Sequence, residues 1–224
     1  MGAPSRHGLR REGCFLLVNG AKDAFFAAFM AGTLTVLIAT LLGSIAGFKG
    51  GLWGSIIMAV GEALLTIPQF PLLSVLAALV RLDNFALAAT IGVLSWPALA
   101  RAIRSQVLSP KERGFIEAER ALDLSAWHIV TVEILPNLMP YIVVGWVLSM
   151  TSAIYSQVGL VLPGFVPFTS HSWGVMINMA WIWGYYKTSV WYILSPILAI
   201  TGFQLSAILF ARALENVFNS RLRG

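Results

Sequence analysis

Five stretches of this sequence are each long and apolar enough to cross a lipid bilayer, and that constrains the chain more than any motif in it. A helical crossing takes roughly 20 residues at about 1.5 Å of rise each, over a hydrocarbon core of about 30 Å. The stretches are Phe25 to Phe48, about Ser55 to Val80, Phe85 to about Val107, about Leu138 to Leu162, and about Ser189 to Ala211. Inside hydrocarbon the backbone must satisfy its own hydrogen bonds, so runs of this length are expected as helices. The expected fold class is all-α: a polytopic membrane helix bundle with five spans. Composition agrees. Only 11% of residues are charged, against about 25% in a typical soluble domain, which is too few to clothe a water-facing surface.

The net charge is +5, but the basic residues stand at the ends of apolar runs, where membrane topology puts them. That placement argues against a nucleic-acid partner. The single cysteine, Cys14, rules out an intrachain disulfide, and no His/Cys spacing suggests a metal site. Residues 1–24 read as an extracellular or interfacial segment ahead of a transmembrane domain at 25–224. Their apolar piece, "CFLLV", is shorter than the core of a secretory signal and too short to span.

Orientation follows from Lys and Arg. Lys49 follows the first span. Arg101, Arg104, Lys111, Arg113 and Arg120 surround the end of the third, and Arg212, Arg221 and Arg223 follow the fifth. The other two joints carry only Arg81 and Lys187. The positive-inside rule therefore places residues 109–137 and the C-terminus in the cytosol, and the joint from Pro163 to Lys187 outside. That outer joint holds Trp173, Trp181, Trp183, Tyr185 and Tyr186, as an aromatic belt would. Five spans leave the N-terminus outside, although it carries Arg6, Arg10, Arg11 and Lys22. Either these charges are outvoted or an earlier span is absent.

Gly43, Gly47 and Gly51 are each four apart, a spacing that lets helices approach closely; Gly47 to Gly54 also reads as a turn. Pro68 and Pro71 are expected to kink or unwind the second span. Glu62 is the acid inside a span, about two turns or roughly 10 Å from its cytosolic end. Such a group either pairs structurally with a basic side chain of a neighbouring helix or belongs to a gate. Arg101 and Arg104 share one helical face. They either anchor the span end or meet a cytosolic partner. Gln157, Asn178 and Gln204 read as contacts between helices.

The polar exception is "GFIEAERALDLSAWHIVTVEILPNLMP", Gly114 to Pro140. "SPKE" at Ser109 to Glu112 has capping-box spacing with Pro at the first helical position, so a helix is expected to begin there. Phe115, Ala118 and Leu122 fall on one face. Asp123 or Ser125 can cap a second helix, which leads through His128 to Pro136. A short amphipathic helix of this kind either lies on the membrane surface or enters a groove on a soluble partner.

"EAERALD…EILPN" resembles the signature loop of ABC importer permeases, Glu-Ala-Ala-x-x-x-Gly followed by Leu-Pro. Glu117 and Ala118 match its start, and Leu135 and Pro136 match its end. Glu119 replaces Ala and Asp123 replaces Gly. "GFKGGLWG", "EALLTIPQFPLL", "SWPALARAIRSQVLS", "SWGVM" and "NSRLR" follow in the order of the dipeptide/oligopeptide/nickel branch of these permeases. That family usually has a sixth, N-terminal span, which appears absent from this sequence.

The resemblance implies a non-catalytic permease subunit of an ATP-driven importer, forming half of a translocation path. Its coupling residues would be Phe115, Ile116, Glu117, Ala118, Glu119, Arg120, Ala121, Leu122, Asp123 and Leu124. Glu62, Pro68, Arg101 and Arg104 would be gate or structural residues. Its partners would be a homologous permease subunit, two ATPase subunits and an extracellular or periplasmic substrate-binding protein, in the cell membrane. The implied cargo is di- or oligopeptides, with oligosaccharides or nickel as alternatives. No cofactor is implied. A phosphate-cradling Gly-x-x-x-x-Gly-Lys-Ser/Thr loop and a His-Glu-x-x-His pair are both missing, so ATP hydrolysis would belong to a separate subunit. The rival from another class is a passive channel or membrane scaffold working without an ATPase.

Overall fold

In the computed structural model of the chain, residues 6–79, 83–108, 132, 135–161 and 172–221 are described. They form helices α1 (Arg6–Phe48), α2 (Gly51–Thr66), α3 (Gln69–Leu79), α4 (Asn84–Leu94), α5 (Trp96–Val107), α6 (Leu135–Val161), α7 (Trp173–Ile182), α8 (Tyr185–Thr188) and α9 (Val190–Arg221). No strand occurs among the described residues.

The first helix is longer than its apolar run. It starts at Arg6 rather than Phe25 and continues unbroken for 43 residues. No proline lies between Arg6 and Phe48, so nothing interrupts the hydrogen-bond ladder. Tertiary contacts hold the early turns. Gly13 packs near Tyr192 and Met176, and the Trp173 indole donates to the Leu17 carbonyl at 3.1 Å. Trp173 is therefore a buried bundle residue, 4% exposed, and not a member of the aromatic belt.

Helix directions follow from who meets whom along α1. Gly92 packs on Ala31 and Leu34, while Gly43 meets Ala100 and Ile103 and Gly47 meets Val107. The α4–α5 span therefore runs parallel to α1. Gly32 meets Met150, and Trp146 donates to Thr33. Leu138 shares a core with Ala46 and Phe48. Helix α6 is thus antiparallel to α1. The Phe25 and Phe203 rings meet edge to face at 4.8 Å, and Tyr192 lies by Gly13, so α9 is parallel to α1. The first, third and fifth apolar runs point one way, as alternating crossings require; four helices among the described residues are long and apolar enough to cross, and the bent α2–α3 pair taken as one span makes five. The ends of α1, α5 and α9 and the start of α6 share one end of the bundle.

Both readings of the glycine spacing hold, at different residues. Gly43 and Gly47 let α1 and α5 approach: a Cβ at Gly43 would lie 2.7 Å from the Ala100 carbonyl oxygen. The turn is made by Gly50 and Gly51, at φ 59 and 50, where a side chain would strain the backbone.

The packed interior has two main stories. One cluster joins Ala27, Ala31, Leu73, Leu87, Ile91 and Leu160. The other joins Ala39, Ala46, Met58, Trp96, Ile103 and Leu138. The division falls where α2 gives way to α3 and α4 to α5.

Candidate functional site at two interrupted spans

Two of the crossings are broken, each at a proline. In the second span, Ile67 sits at φ −83, ψ 121, the extended conformation that the residue before a proline favours. Helix α2 ends there, and α3 leaves at a 78° bend. In place of the expected kink or local unwinding, the helix breaks outright at Ile67–Pro68, while Pro71 fits within the first turn of α3. In the third span, Pro97 lacks the N–H that would continue the ladder, and the helix is interrupted at Ser95. Ser95 returns its hydroxyl to the Ile91 carbonyl at 2.7 Å.

The two breaks meet. Gln69, the first residue of α3, donates through Nε2 to Ser95 Oγ at 2.8 Å. On the other side of both breaks, Arg101 Nη2 of α5 lies 3.5 Å from Glu62 Oε1 of α2. Between these contacts, Gly61 lets α2 come up to the Trp96 ring and Pro97. Gly54, Met58 and Gly61 are the buried face of α2. Glu62 stands one residue round from that face and is 64% exposed, with Arg101 at 55%. Residues 65–71 are all exposed.

Lipid is the wrong medium for such a face. Counted from the start of its apolar run near Ser55, Glu62 lies about 10 Å of helical rise inside the span. Charged side chains at that depth are costly against acyl chains and turn to protein or water. Irregular backbone, as at Ile67–Pro68, is tolerated at membrane depth only where protein or a watery cavity covers it. The Glu62–Arg101 face therefore looks onto protein or water.

The remaining expected residues divide. Arg104 is half-buried in the last turn of α5, and its Nε meets no hydrogen-bond partner among the described residues. Gln157, 3% exposed, donates to Asn84 Oδ1 at 3.3 Å. Asn178 donates to the Val161 carbonyl at 3.2 Å. These two make the helix-to-helix contacts expected of them, and Gln204 is half-buried on α9. Trp181, Ile182, Trp183 and Trp191 are exposed, and Trp181 stacks on Tyr186. Leu135 and Pro136 open α6, where a first-turn proline costs no hydrogen bond. Phe115 to Leu124 and His128 lie outside the described residues. Gln69 and Ser95 escaped the reading of the sequence. Their signal was the pair of prolines, Pro68 and Pro97, that set each beside a break.

The family model for the binding-protein-dependent transport system inner membrane component matches residues 39–224. The chain belongs to this family. As a member of it with several apolar helices, the chain is a multi-pass membrane protein. Among relatives of this permease family, the dipeptide transport system permease protein DppC of Bacillus subtilis (strain 168) is 32% identical over 162 residues. That match covers 71% of this chain and 50% of the relative. A putative peptide permease protein of Brucella ovis is 31% identical, covering 77% of this chain and 58% of the relative. The oligopeptide transport system permease protein OppC of Bacillus subtilis (strain 168) is 30% identical, with coverages of 71% and 52%. The chain thus spans about half the length of the curated relatives it matches. In fold it is similar to a chain of the inward-facing MetNI methionine ABC transporter, with a TM-score of 0.70 at 18% identity. That likeness covers 89% of this chain and 96% of the other.

Proposed function

We propose that this chain is the membrane-spanning subunit of an ATP-driven ABC importer whose cargo is di- or oligopeptides. The observation that carries the reading is the exposed Glu62–Arg101 pair beside two interrupted spans, in a member of a permease family whose similar relatives are named for peptide transport. A charge pair at that depth is stable if the face lines a hydrated path. That path would be completed by a second, homologous permease subunit.

On this reading the end shared by α1, α5, α6 and α9 is cytosolic. Lys49, Arg101, Arg104 and Arg212 lie toward it, as the positive-inside rule asks. The segment 109–137 leaves α5 and returns to α6 at that end. Phe115 to Leu124 would dock in a groove on an ATPase subunit and transmit its closure to α5 and α6. The ATPase itself is a separate subunit, and an extracellular or periplasmic binding protein delivers cargo at the far end.

The test is reconstitution. The chain is co-expressed with candidate ATPase and permease partners, purified, placed in proteoliposomes and supplied with labelled dipeptide. ATP-dependent accumulation against a gradient is expected. Flux that ignores ATP would instead make it a passive channel.

A further inference from the structure

We propose that Glu62 and Arg101 form a transient docking point for the two charged termini of a short zwitterionic chain, with Gln69 and Ser95 serving its amides. The inference rests on the reading above that this face lines a translocation path, and it assigns that path its ligand chemistry.

The pair is loosely made. Its contact is a single one, at 3.5 Å, whereas charge-assisted N–H···O bonds close to about 2.7–2.9 Å. An ionised carboxylate offers about four lone-pair sites and a guanidinium five N–H donors, so most of the capacity of both groups is unused. Both side chains are more than half exposed. An exposed pair of this length adds little to stability, so bracing α2 against α5 is a weak explanation for keeping two charges at this depth.

Further polar groups stand at the neighbouring break. Glu62 and Thr66 lie one turn apart on α2, and beyond the break Gln69 opens α3 and donates to Ser95. Thr66 turns its hydroxyl to the Ala63 carbonyl at 2.7 Å, leaving lone pairs on the oxygen. One contact carries both signs of charge, and the contact beyond the break carries an amide and a hydroxyl. A zwitterion bearing an amide bond matches both contacts. A neutral sugar offers nothing to divide the ion pair. A bare divalent cation would meet Glu62 but be repelled by Arg101. Because the pair is neutral overall, it welcomes both termini and holds neither tightly, as passage through a conduit requires.

The experiment uses the whole importer in proteoliposomes, with its partner subunits and saturating binding protein. Uptake is measured for four cargoes: dialanine, its N-acetyl form, its C-terminal amide, and the doubly blocked form. Each variant is compared with wild type on the same cargo, so the preference of the binding protein cancels. Glu62→Gln is expected to slow cargoes with a free ammonium by about fivefold and to leave N-acetylated ones unchanged. Arg101→Gln should do the same for cargoes with a free carboxylate and spare the amidated ones. Equal slowing of all four would overturn the proposal. Failure of the single variants to assemble, repaired by the exchange Glu62→Arg with Arg101→Glu, would reveal a brace and overturn it as well. If the wild-type importer accumulates none of the four under ATP, the functional reading itself fails.

Discussion

Thr35 of α1 donates its hydroxyl to the carbonyl oxygen of Gly92, 57 residues away on α4, at 3.1 Å in a buried setting. Gly92 can be approached so closely because it has no side chain; a Cβ there would stand 2.9 Å from the Ala31 carbonyl oxygen and the Leu34 Cβ. Thr35→Val keeps the volume and removes the donor. The expected cost is about 1 kcal/mol, the scale of an interhelical hydrogen bond in a membrane protein. Thermal unfolding of the purified chain in detergent, against wild type, measures it.

The α1–α5 crossing gives a sharper contrast. Gly43→Leu must displace the Ala100 carbonyl and Ile103, which are backbone and packed core. Overpacking of this kind costs about 1–3 kcal/mol. On α9, a methyl added at Gly202 would meet nothing within 4 Å, so Gly202→Ala should be neutral or mildly stabilising through helix propensity. Equal melting shifts for the two variants would contradict the packing described for α1.

Pro68 sets the extended geometry of Ile67. Pro68→Ala restores an N–H and frees Ile67 to adopt helical angles. The 78° bend between α2 and α3 should then open. Spin labels at Ile56 and Val75, read by pulsed electron resonance, would report a longer separation. An unchanged distance would mean that tertiary contacts, such as Gln69 with Ser95, hold the bend without the proline.

Glu117→Lys tests the cytosolic segment. If Phe115 to Leu124 engage an ATPase groove, reversing this charge should abolish ATP-driven uptake while the partner ATPase keeps its basal hydrolysis. Parallel uptake and phosphate-release assays on the reconstituted complex separate the two. A variant that transports normally would argue for a channel or scaffold needing no motor.

Much of the bundle could be read from hydropathy because lipid leaves the backbone so few choices. The apolar runs and their alternating direction reappear in the packing of Gly92, Met150 and Phe203 against α1. What hydropathy could not give was the early start of α1. The stretch is polar in places, and Gly13 and Leu17 pack against Trp173, Met176 and Tyr192, distant in sequence. Nor could local pattern pair Glu62 with Arg101. The acid was visible as an anomaly in a span and Arg101 as one of two candidates near a span end. Choosing Arg101 over Arg104 needed the register of α2 against α5, which Gly61 and Trp96 set. Trp173 misled for a related reason: tryptophan marks membrane interfaces by its amphipathic ring, yet a buried carbonyl satisfies the same N–H.

The interruptions at Pro68 and Pro97 lie side by side, at the level where the Leu73–Leu87–Leu160 cluster gives way to the Met58–Trp96–Leu138 cluster. The bundle thus has a hinge line built across two neighbouring rods at one height. Any bending of these two rods is expected at that one height, whereas their unbroken neighbours, packed on them at Gly43, Gly47 and Leu138, act as a splint across it.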